Sequence, residues 1–359
     1  MKRAISLAKH GTGWVNPNPL VGAVLVKDGC IIGEGFHEFF GGPHAEVNAI
    51  RAVPETSLND ITGSTLYITL EPCSHLGKTP PCVNLISEKK IAKVVIGMTD
   101  PNPLVNGRGI EYLRSEGINV EVGIMETQIR ELNEVFSKFI QTGIPFVVYK
   151  SAMTLDGKIA TVTNSSRWIT GEPSRKIVHL LRQQFGAVMV GVDTVIFDDP
   201  LLNIRLKGKW KNPLKIIADT HGRIPMEAKV LTHDPQLTIL ATSQFADQKK
   251  LKNIERAGAQ VLICPIKDDK VDLGFIMKSL GSMGIDSVMI EGGGTLAFSA
   301  LHDGLVDKII SFIAPKILGG ANAPTTVGGS GISLMENAIN VSNMRTRKVG
   351  GDLMIEGWI

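Results

Sequence analysis

Along the chain, short runs of apolar and β-branched residues are broken by glycine, proline and polar turns, and they alternate with stretches of helical spacing. Val21 to Val26 is one such run; Asp28-Gly29 is a tight-turn pair and Ile31-Ile32 resumes the strand, which predicts a hairpin. A helix is predicted from His44 to about Ala52, behind Gly41-Gly42-Pro43. Proline suits a helix start because its missing N–H has no partner to lose there. Thr65 to Leu70 reads as a strand, a helix starts near Pro81, and Val94-Val95-Ile96 is a further strand. Such alternation predicts a layered α/β domain.

The pattern restarts near Gly143-Ile144-Pro145 with a strand from Phe146 to Tyr149, which predicts two domains, 1–143 and 146–359. In the second, a helix is expected from Pro173 to Phe185, with strands near Val188, Ile216, Ile239, Val261, Val288 and Ile309. The charge-free stretch from Ile317 to Met335 contains five glycines and Pro324, so it reads as a surface loop and not a membrane span.

Composition narrows the class without naming a function. A chain of 359 residues with 43% hydrophobic and 20% charged residues can bury two ordinary cores. The 38 basic and 35 acidic residues leave +3, too little to imply a nucleic-acid surface. Four cysteines at uneven spacing cannot form a disulfide scaffold and fit a reducing, cytoplasmic setting. Met1-Lys2-Arg3 has the charge of a secretory signal, but Lys9 and His10 interrupt before an apolar core develops.

The first half carries a candidate metal site. His44-Ala45-Glu46 opens a helix, Pro72-Cys73 ends a strand, and Cys82 opens the next helix behind Pro80-Pro81. One imidazole and two thiolates suit zinc, and three protein ligands leave a fourth position open, as in catalytic sites. Glu46 is then placed to handle protons. This is the zinc nucleobase deaminase signature, His-x-Glu followed by Pro-Cys and a second Cys, except that eight residues, Ser74 to Pro81, separate the cysteines where two are usual. Two unrelated buried cysteines with a helix-capping histidine, or a structural zinc completed by Cys30 or a second histidine, are the alternatives.

The segment Glu71-Pro72-Cys73-Ser74-His75-Leu76-Gly77-Lys78-Thr79-Pro80-Pro81-Cys82 resembles the zinc motif of the bifunctional riboflavin-biosynthesis deaminase/reductases. Asn16-Pro17-Asn18-Pro19-Leu20-Val21-Gly22 and Asp100-Pro101-Asn102-Pro103 resemble two further blocks of that deaminase. The resemblance implies a cytidine-deaminase-like three-layer α/β domain and a small-molecule substrate. That substrate is a pyrimidinone bearing a ribosylamino 5′-phosphate, which loses its 2-amino group as ammonia. It also implies zinc on His44, Cys73 and Cys82, Glu46 as the catalytic proton carrier, and Asn18, His37, His75, Lys78, Asp100 and Asn102 lining the substrate pocket. Turn chemistry beside proline is the plainer account of Asp100 and Asn102, and a solvated lysine that of Lys78.

In the second half a strand, Ser287 to Ile290, runs into Glu291-Gly292-Gly293-Gly294-Thr295 and a helical segment from Leu296 to His302. Glycines between strand and helix let the backbone approach a phosphate. A turn needed only for tight packing explains them equally, and no ribose-binding acid ends the next strand, which closes on Ala314-Pro315-Lys316. Thr154-Leu155-Asp156-Gly157-Lys158, Ser166-Arg167-Trp168, Gly191-Val192-Asp193-Thr194, Asp198-Asp199-Pro200 and Ile313-Ala314-Pro315-Lys316 resemble the reductase half of the same family. That implies a dihydrofolate-reductase-like α/β domain using NADPH, and a homo-oligomer. By this resemblance Ala152, Trp168, Thr194, Asp198, Thr220, Gly293, Gly294, Thr295, Leu296, Ala297, Phe298 and Ser299 contact NADPH, while Ser166, Arg182, Leu202, Arg205 and Glu291 contact the substrate. The plainer reading of Arg182 is a solvated helix position, and that of Trp168 a core aromatic. No acid–base residue for the reduction stands out.

Two rivals stay open. A nucleic-acid deaminase predicts a basic groove and stacking aromatics, against 4 Trp, 3 Tyr and a charge of +3. A non-enzymatic or half-dead protein that keeps one pocket as a ligand-binding module is the other. The stub before Gly11 predicts either a short first helix or a true start upstream, and Trp14 has no functional account.

Overall fold

The computed structural model describes residues 1–74, 81–103 and 105–359, and divides into two compact units, Met1–Gly143 and Ile144–Ile359. In unit 1 the elements run α1 (Lys2–Ala8), β1 (Gly22–Lys27), β2 (Cys30–Phe36), α2 (Ala45–Arg51), β3 (Thr65–Leu70), α3 (Cys82–Glu88), β4 (Lys93–Met98), α4 (Arg108–Ser115), β5 (Asn119–Val122), α5 (Glu126–Leu132) and α6 (Glu134–Thr142). Asp28 and Gly29, both at positive φ (48° and 80°), make the two-residue turn of the β1–β2 hairpin. The sheet order is β2-β1-β3-β4-β5, antiparallel over its first three strands and parallel from β3 to β5.

The sheet is covered on both faces: along β1, Ala23 and Leu25 point into one core while Val24 between them packs with Ala4 and Leu7 of α1 on the other side. Leu66, Ile68, Val94 and Ile96 pack with Ala45, Ala49, Val83, Ile86 and Leu113 of α2, α3 and α4. Leu70 and Met98 pack with Ile5, Ile129 and Phe136 of α1, α5 and α6. Three layers result. Gly35 lets α2 lie directly on β2, since a Cβ there would stand 2.3 Å from the Ala49 nitrogen. The parallel strands β3 and β4 deliver Pro72-Cys73 and Asp100 beyond their carboxyl ends, where open α/β sheets gather their sites.

Unit 2 contains β6 (Phe146–Thr154), α7 (Glu172–Gln184), β7 (Ala187–Gly191), α8 (Val192–Asp198), β8 (Leu214–Ala218), α9 (Lys229–Thr232), β9 (Thr238–Thr242), α10 (Gln248–Arg256), β10 (Gln260–Ile263), β11 (Ile266–Lys267), β12 (Lys270–Val271), α11 (Leu273–Ser282), β13 (Ser287–Glu291), α12 (Gly294–His302), β14 (Lys308–Ala314), β15 (Ser342–Val349) and β16 (Asp352–Trp358). Nine strands form one sheet in the order β10-β9-β8-β7-β13-β6-β14-β16-β15. The first seven are parallel, and β16 and β15 close the edge antiparallel. Every strand expected in this half is present. The β15–β16 hairpin is the addition to this sheet, and β11 and β12 pair as a separate two-stranded one; β15 is exposed along nearly its whole length, so no apolar periodicity marks it. Between β14 and β15 the chain runs without strand or α-helix among the described residues, as the glycine-rich stretch predicts. No helix among them is long and apolar enough to cross a membrane.

Candidate active sites

His44 is the N-cap of α2 and Cys82 the first residue of α3, while Cys73 follows the end of β3. His44 Nδ1 lies 3.2 Å from Cys82 Sγ and 3.5 Å from Cys73 Sγ, and the Cys82 N–H donates to Cys73 Sγ at 3.3 Å. All three donor atoms fall within 4.8 Å of one another, the span of a tetrahedral N,S,S set around zinc. The two sulfurs share a hydrogen bond and compete for its proton. The Cys73 thiol is drawn down to about 4 by its hydrogen bond with Cys82, helped by His44, while Cys82 is pushed up by the same bond and by burial. His44, Cys73 and Cys82 would hold zinc with both thiols as thiolates, which would end that competition. Cys30 is exposed at the start of β2 and takes no part, which removes it as a fourth ligand.

Glu46, in the first turn of α2, is 3% exposed. Burial, then repulsion from Cys73, raises its carboxyl to about 7, where a carboxylate both takes and returns a proton near neutrality. His37 is buried with its ring edge-on to that of His44, 5.6 Å between centroids. Its Nδ1 lies 3.0 Å from the Pro43 carbonyl and its Nε2 3.0 Å from Asn18 Nδ2. The carbonyl only accepts, so the proton sits on Nδ1, Nε2 accepts from Asn18, and the Asn18 Oδ1 is left for other partners. Asp100 is buried; burial, then repulsion from Glu71 and Cys73, lifts its carboxyl to about 6 although it accepts from the Asn102 N–H. His75 and Lys78 lie outside the described residues.

In unit 2, Glu291 ends β13 and is the register partner of Lys150 on β6. Arg182 of α7 donates to both Glu291 oxygens, from Nε at 2.7 Å and Nη2 at 2.9 Å, and from Nη1 to the Asn203 carbonyl at 2.9 Å. Arg182 is therefore not a solvated helix position: it is buried, and most of its donors are committed. Lys150 Nζ is 3.7 Å from Glu291 Oε2. Burial lowers the Lys150 ammonium, and although burial opposes ionisation of Glu291, Arg182 and Lys150 hold that carboxyl at about 2. His179, on α7, has a buried Nδ1 with no hydrogen-bond partner. Burial, Arg182 and Arg205 push its imidazole down to about 4. Arg205 spends one N–H on Asn203 Oδ1.

Neither Lys150 nor His179 stood out in the sequence. Lys150 sits within a strand and His179 within an amphipathic helix, and only the β6–β13 pairing and α7 packing bring them to Glu291. Leu202 is buried at positive φ (52°) between Asp199 and Arg205. Ser166 donates to Asp198 Oδ1 at 3.1 Å, and Ala152 on β6 is the register partner of Phe312.

Trp168 is 61% exposed, with the Arg175 guanidinium 4.5 Å from its ring centroid, so it is not a core aromatic. Lys316, the basic residue after β14, donates to the Trp168 carbonyl at 2.7 Å. Gly292 and Gly293 both have positive φ (73° and 79°) and pack beside the Thr194 hydroxyl as α12 begins. A cavity of about 520 Å³ opens next to this turn, lined among others by Thr220, Thr295, Leu296, Phe298, Ser299 and Arg223. Of the residues expected to contact NADPH, Thr220, Thr295, Leu296, Phe298 and Ser299 line this cavity, whereas Ala152, Trp168, Thr194, Asp198, Gly293, Gly294 and Ala297 are not among its lining residues; the glycine turn at the start of α12 suits a phosphate. Gly294 meets the chain at Thr325 and Gly328, and Ala297 is fully buried.

Two family models match the chain. The cytidine and deoxycytidylate deaminase zinc-binding region covers residues 1–98, and the RibD C-terminal domain covers residues 145–355. Among curated proteins, the riboflavin biosynthesis protein RibD of Actinobacillus pleuropneumoniae is 45% identical over 99% of this chain and 93% of its own length. That of Escherichia coli is 37% identical over 99% and 97%. Among solved structures, Acinetobacter baumannii RibD superposes with a TM-score of 0.88 at 36% identity, over 99% of this chain and 97% of that one. A diaminohydroxyphosphoribosylaminopyrimidine deaminase/5-amino-6-(5-phosphoribosylamino)uracil reductase from Thermotoga maritima gives 0.88 at 38% identity, over 100% and 97%.

Proposed function

Because this chain belongs to the family of bifunctional riboflavin-biosynthesis deaminase/reductases, we propose that residues 1–143 carry the deamination and residues 146–359 the reduction, on the side chains placed above. It is an enzyme of riboflavin biosynthesis with both activities, and zinc and NADPH are its cofactors. The first reaction replaces the 2-amino group of 2,5-diamino-6-(5-phosphoribosylamino)pyrimidin-4(3H)-one with oxygen from water, releasing ammonia. The second turns the ribosyl group of 5-amino-6-(5-phosphoribosylamino)uracil into a ribityl chain.

The observation that carries the deaminase reading is the convergence of His44, Cys73 and Cys82 beside buried Glu46. In this reading the three ligands hold zinc, which makes water acidic enough to react near neutrality. Glu46 accepts the proton of the attacking water and delivers it to the departing amine. Asn18, Asp100 and Asn102 bind substrate, His37 acts through Asn18, and His75 and Lys78 complete the pocket.

For the reduction, NADPH supplies the hydride that reaches C1′ of the ring-opened ribose. We assign its contacts to Ala152, Trp168, Thr194, Asp198, Thr220 and the 293–299 turn and helix. Ser166, Leu202, Arg205 and Glu291 are assigned to substrate. Arg182 serves chiefly to hold Glu291, and Arg205 is the guanidinium with donors to spare for phosphate. Lys150 is the proton donor this reading adds, since a buried ammonium beside Glu291 can protonate the sugar ring oxygen as the ring opens. Exposed Ile317, Leu334 and Met335 in the connection before β15 support a homo-oligomer. The free cysteines and net charge of +3 support a cytoplasmic enzyme working on small molecules, without nucleic acid or membrane.

The test is to give zinc-loaded protein the diaminopyrimidinone substrate and follow ammonia and NADPH absorbance together. Ammonia with or without NADPH, and NADPH oxidation only after deamination, is the expected result. NADPH oxidation that precedes ammonia release overturns the order.

A further inference from the structure

One buried carboxylate in unit 1 has no part in the chemistry above. Glu71, 3% exposed, stands between the end of β3 and the ligand Cys73. Its own N–H donates to the Met98 carbonyl at 3.0 Å, extending the β3–β4 pairing by one residue. Four backbone N–H groups from one segment converge on its side chain. Asp100 N and Gly107 N donate to Oε2 at 3.1 and 2.9 Å, and Gly109 N and Ile110 N donate to Oε1 at 2.9 and 3.3 Å. Gly109 has no room for a side chain, since a Cβ would stand 2.3 Å from the Pro72 carbonyl oxygen and 3.1 Å from Glu71 Oε1. So the backbone around the second metal-ligand turn and the start of α4 form one fitted assembly.

That assembly has a direction. The segment's first residue, Asp100, accepts from Asn102 N at 2.9 Å, so fixing the Asp100 backbone also fixes the Asn102 turn. We propose that Glu71 is a positioning residue that ties the Asp100–Asn102 turn to the strand end carrying Cys73, and so sets the distance between bound pyrimidinone and metal. The inference rests on the assignment of Asp100 and Asn102 to the substrate pocket. It predicts a defect in substrate binding and not in metal binding.

Glutamine is an informative replacement because it keeps the shape and loses the function. Whichever oxygen becomes NH₂, two backbone N–H groups face a donor where they had an acceptor. In the full-length, zinc-loaded enzyme, Glu71→Gln is expected to keep one zinc per chain and a kcat within a few-fold. The deaminase KM should rise about 10- to 100-fold, the worth of one or two such bonds. Asn102→Ala should raise KM in the same direction. The double variant should be no worse than the more severe single one, because the two act in series.

An unchanged KM in Glu71→Gln beside a raised one in Asn102→Ala overturns the role of Glu71 alone. Unchanged KM in both overturns the pocket assignment with it. Zinc loss in Glu71→Gln also overturns the proposal, since Glu71 would then serve Cys73 directly. Should Glu71→Gln fail to fold, hydrogen exchange in the unmodified enzyme decides. The amides of Asp100, Gly107 and Gly109 should be protected as strongly as those of β4, and rapid exchange overturns the proposal.

Discussion

Arg182 grips Glu291 through two parallel hydrogen bonds, 2.7 and 2.9 Å long, with both side chains about nine-tenths buried. Removing one partner of such a pair strands the other charge, at a typical cost of about 3–5 kcal/mol. Among the described residues, Arg182→Ala leaves Glu291 the Lys150 ammonium at 3.7 Å as its remaining ion pair. The second unit should lose about that much stability to urea and at least 100-fold in reductase kcat/KM. Zinc content and ammonia release should not change. Equal loss of both activities would show that the pair supports the whole chain and not one site.

The same pair sets an acid limit. The carboxyl of Glu291, against the raising effect of burial, is held by Arg182 and Lys150 at about 2, below the ordinary 4.5. A depressed carboxylate stabilises the fold fully above its unfolded value, and that contribution fades as pH falls from about 4.5 towards 2. Its size is about 3 kcal/mol. His179 acts in the same direction at higher pH: burial, Arg182 and Arg205 hold it neutral down to about 4, while an unfolded histidine charges near 6.5. Urea unfolding of unit 2 between pH 7 and 3 should show stability falling in both windows, and Glu291→Gln should flatten the lower one.

Much of the deaminase site is local in sequence, and this is why it was legible. His44 and Glu46 share one helix start, and Cys73 and Cys82 flank a single connection, so their spacing records their geometry. The glycines before α12 are legible for a similar reason, since a strand-to-helix turn with two positive φ values admits few other residues. What escaped is what the sheet creates at long range. Lys150 and Glu291 are 141 positions apart and become register partners only when β6 and β13 pair. Glu71 reads as part of a cysteine motif until the backbone N–H groups of Asp100, Gly107, Gly109 and Ile110 converge on it. Arg182 looks solvated because its helix is polar overall, and nothing local says that its side chain turns inward to a carboxylate.

Lys150 offers the sharpest test of the reduction. Burial already weighs against its charged form, and Glu291 beside it keeps the proton available. Lys150→Met preserves length and removes the proton. We expect reductase kcat to fall about 10²- to 10⁴-fold, the usual worth of a positioned acid. NADPH affinity, measured by fluorescence titration, should stay within about threefold. A weakened cofactor complex with unchanged kcat would move Lys150 from proton transfer to cofactor binding.

Glu46 is the residue on which the two activities should separate cleanly. It is buried beside the metal ligands, and its carboxyl is raised to about 7 by burial and by Cys73, so its proton is available in both directions near neutrality. Glutamine at this position keeps the volume and the hydrogen bonds of an amide but carries no transferable proton. Glu46→Gln should therefore bind one zinc per chain, measured by atomic absorption, while ammonia release falls at least 100-fold. Given 5-amino-6-(5-phosphoribosylamino)uracil directly, the same protein should oxidise NADPH at the unmodified rate, because the residues assigned to that step all lie in the second unit. Loss of zinc would make Glu46 a structural support of the ligands. Loss of NADPH oxidation in a folded, zinc-loaded variant would mean that the two sites are not independent, and the assignment of one reaction to each unit would fail.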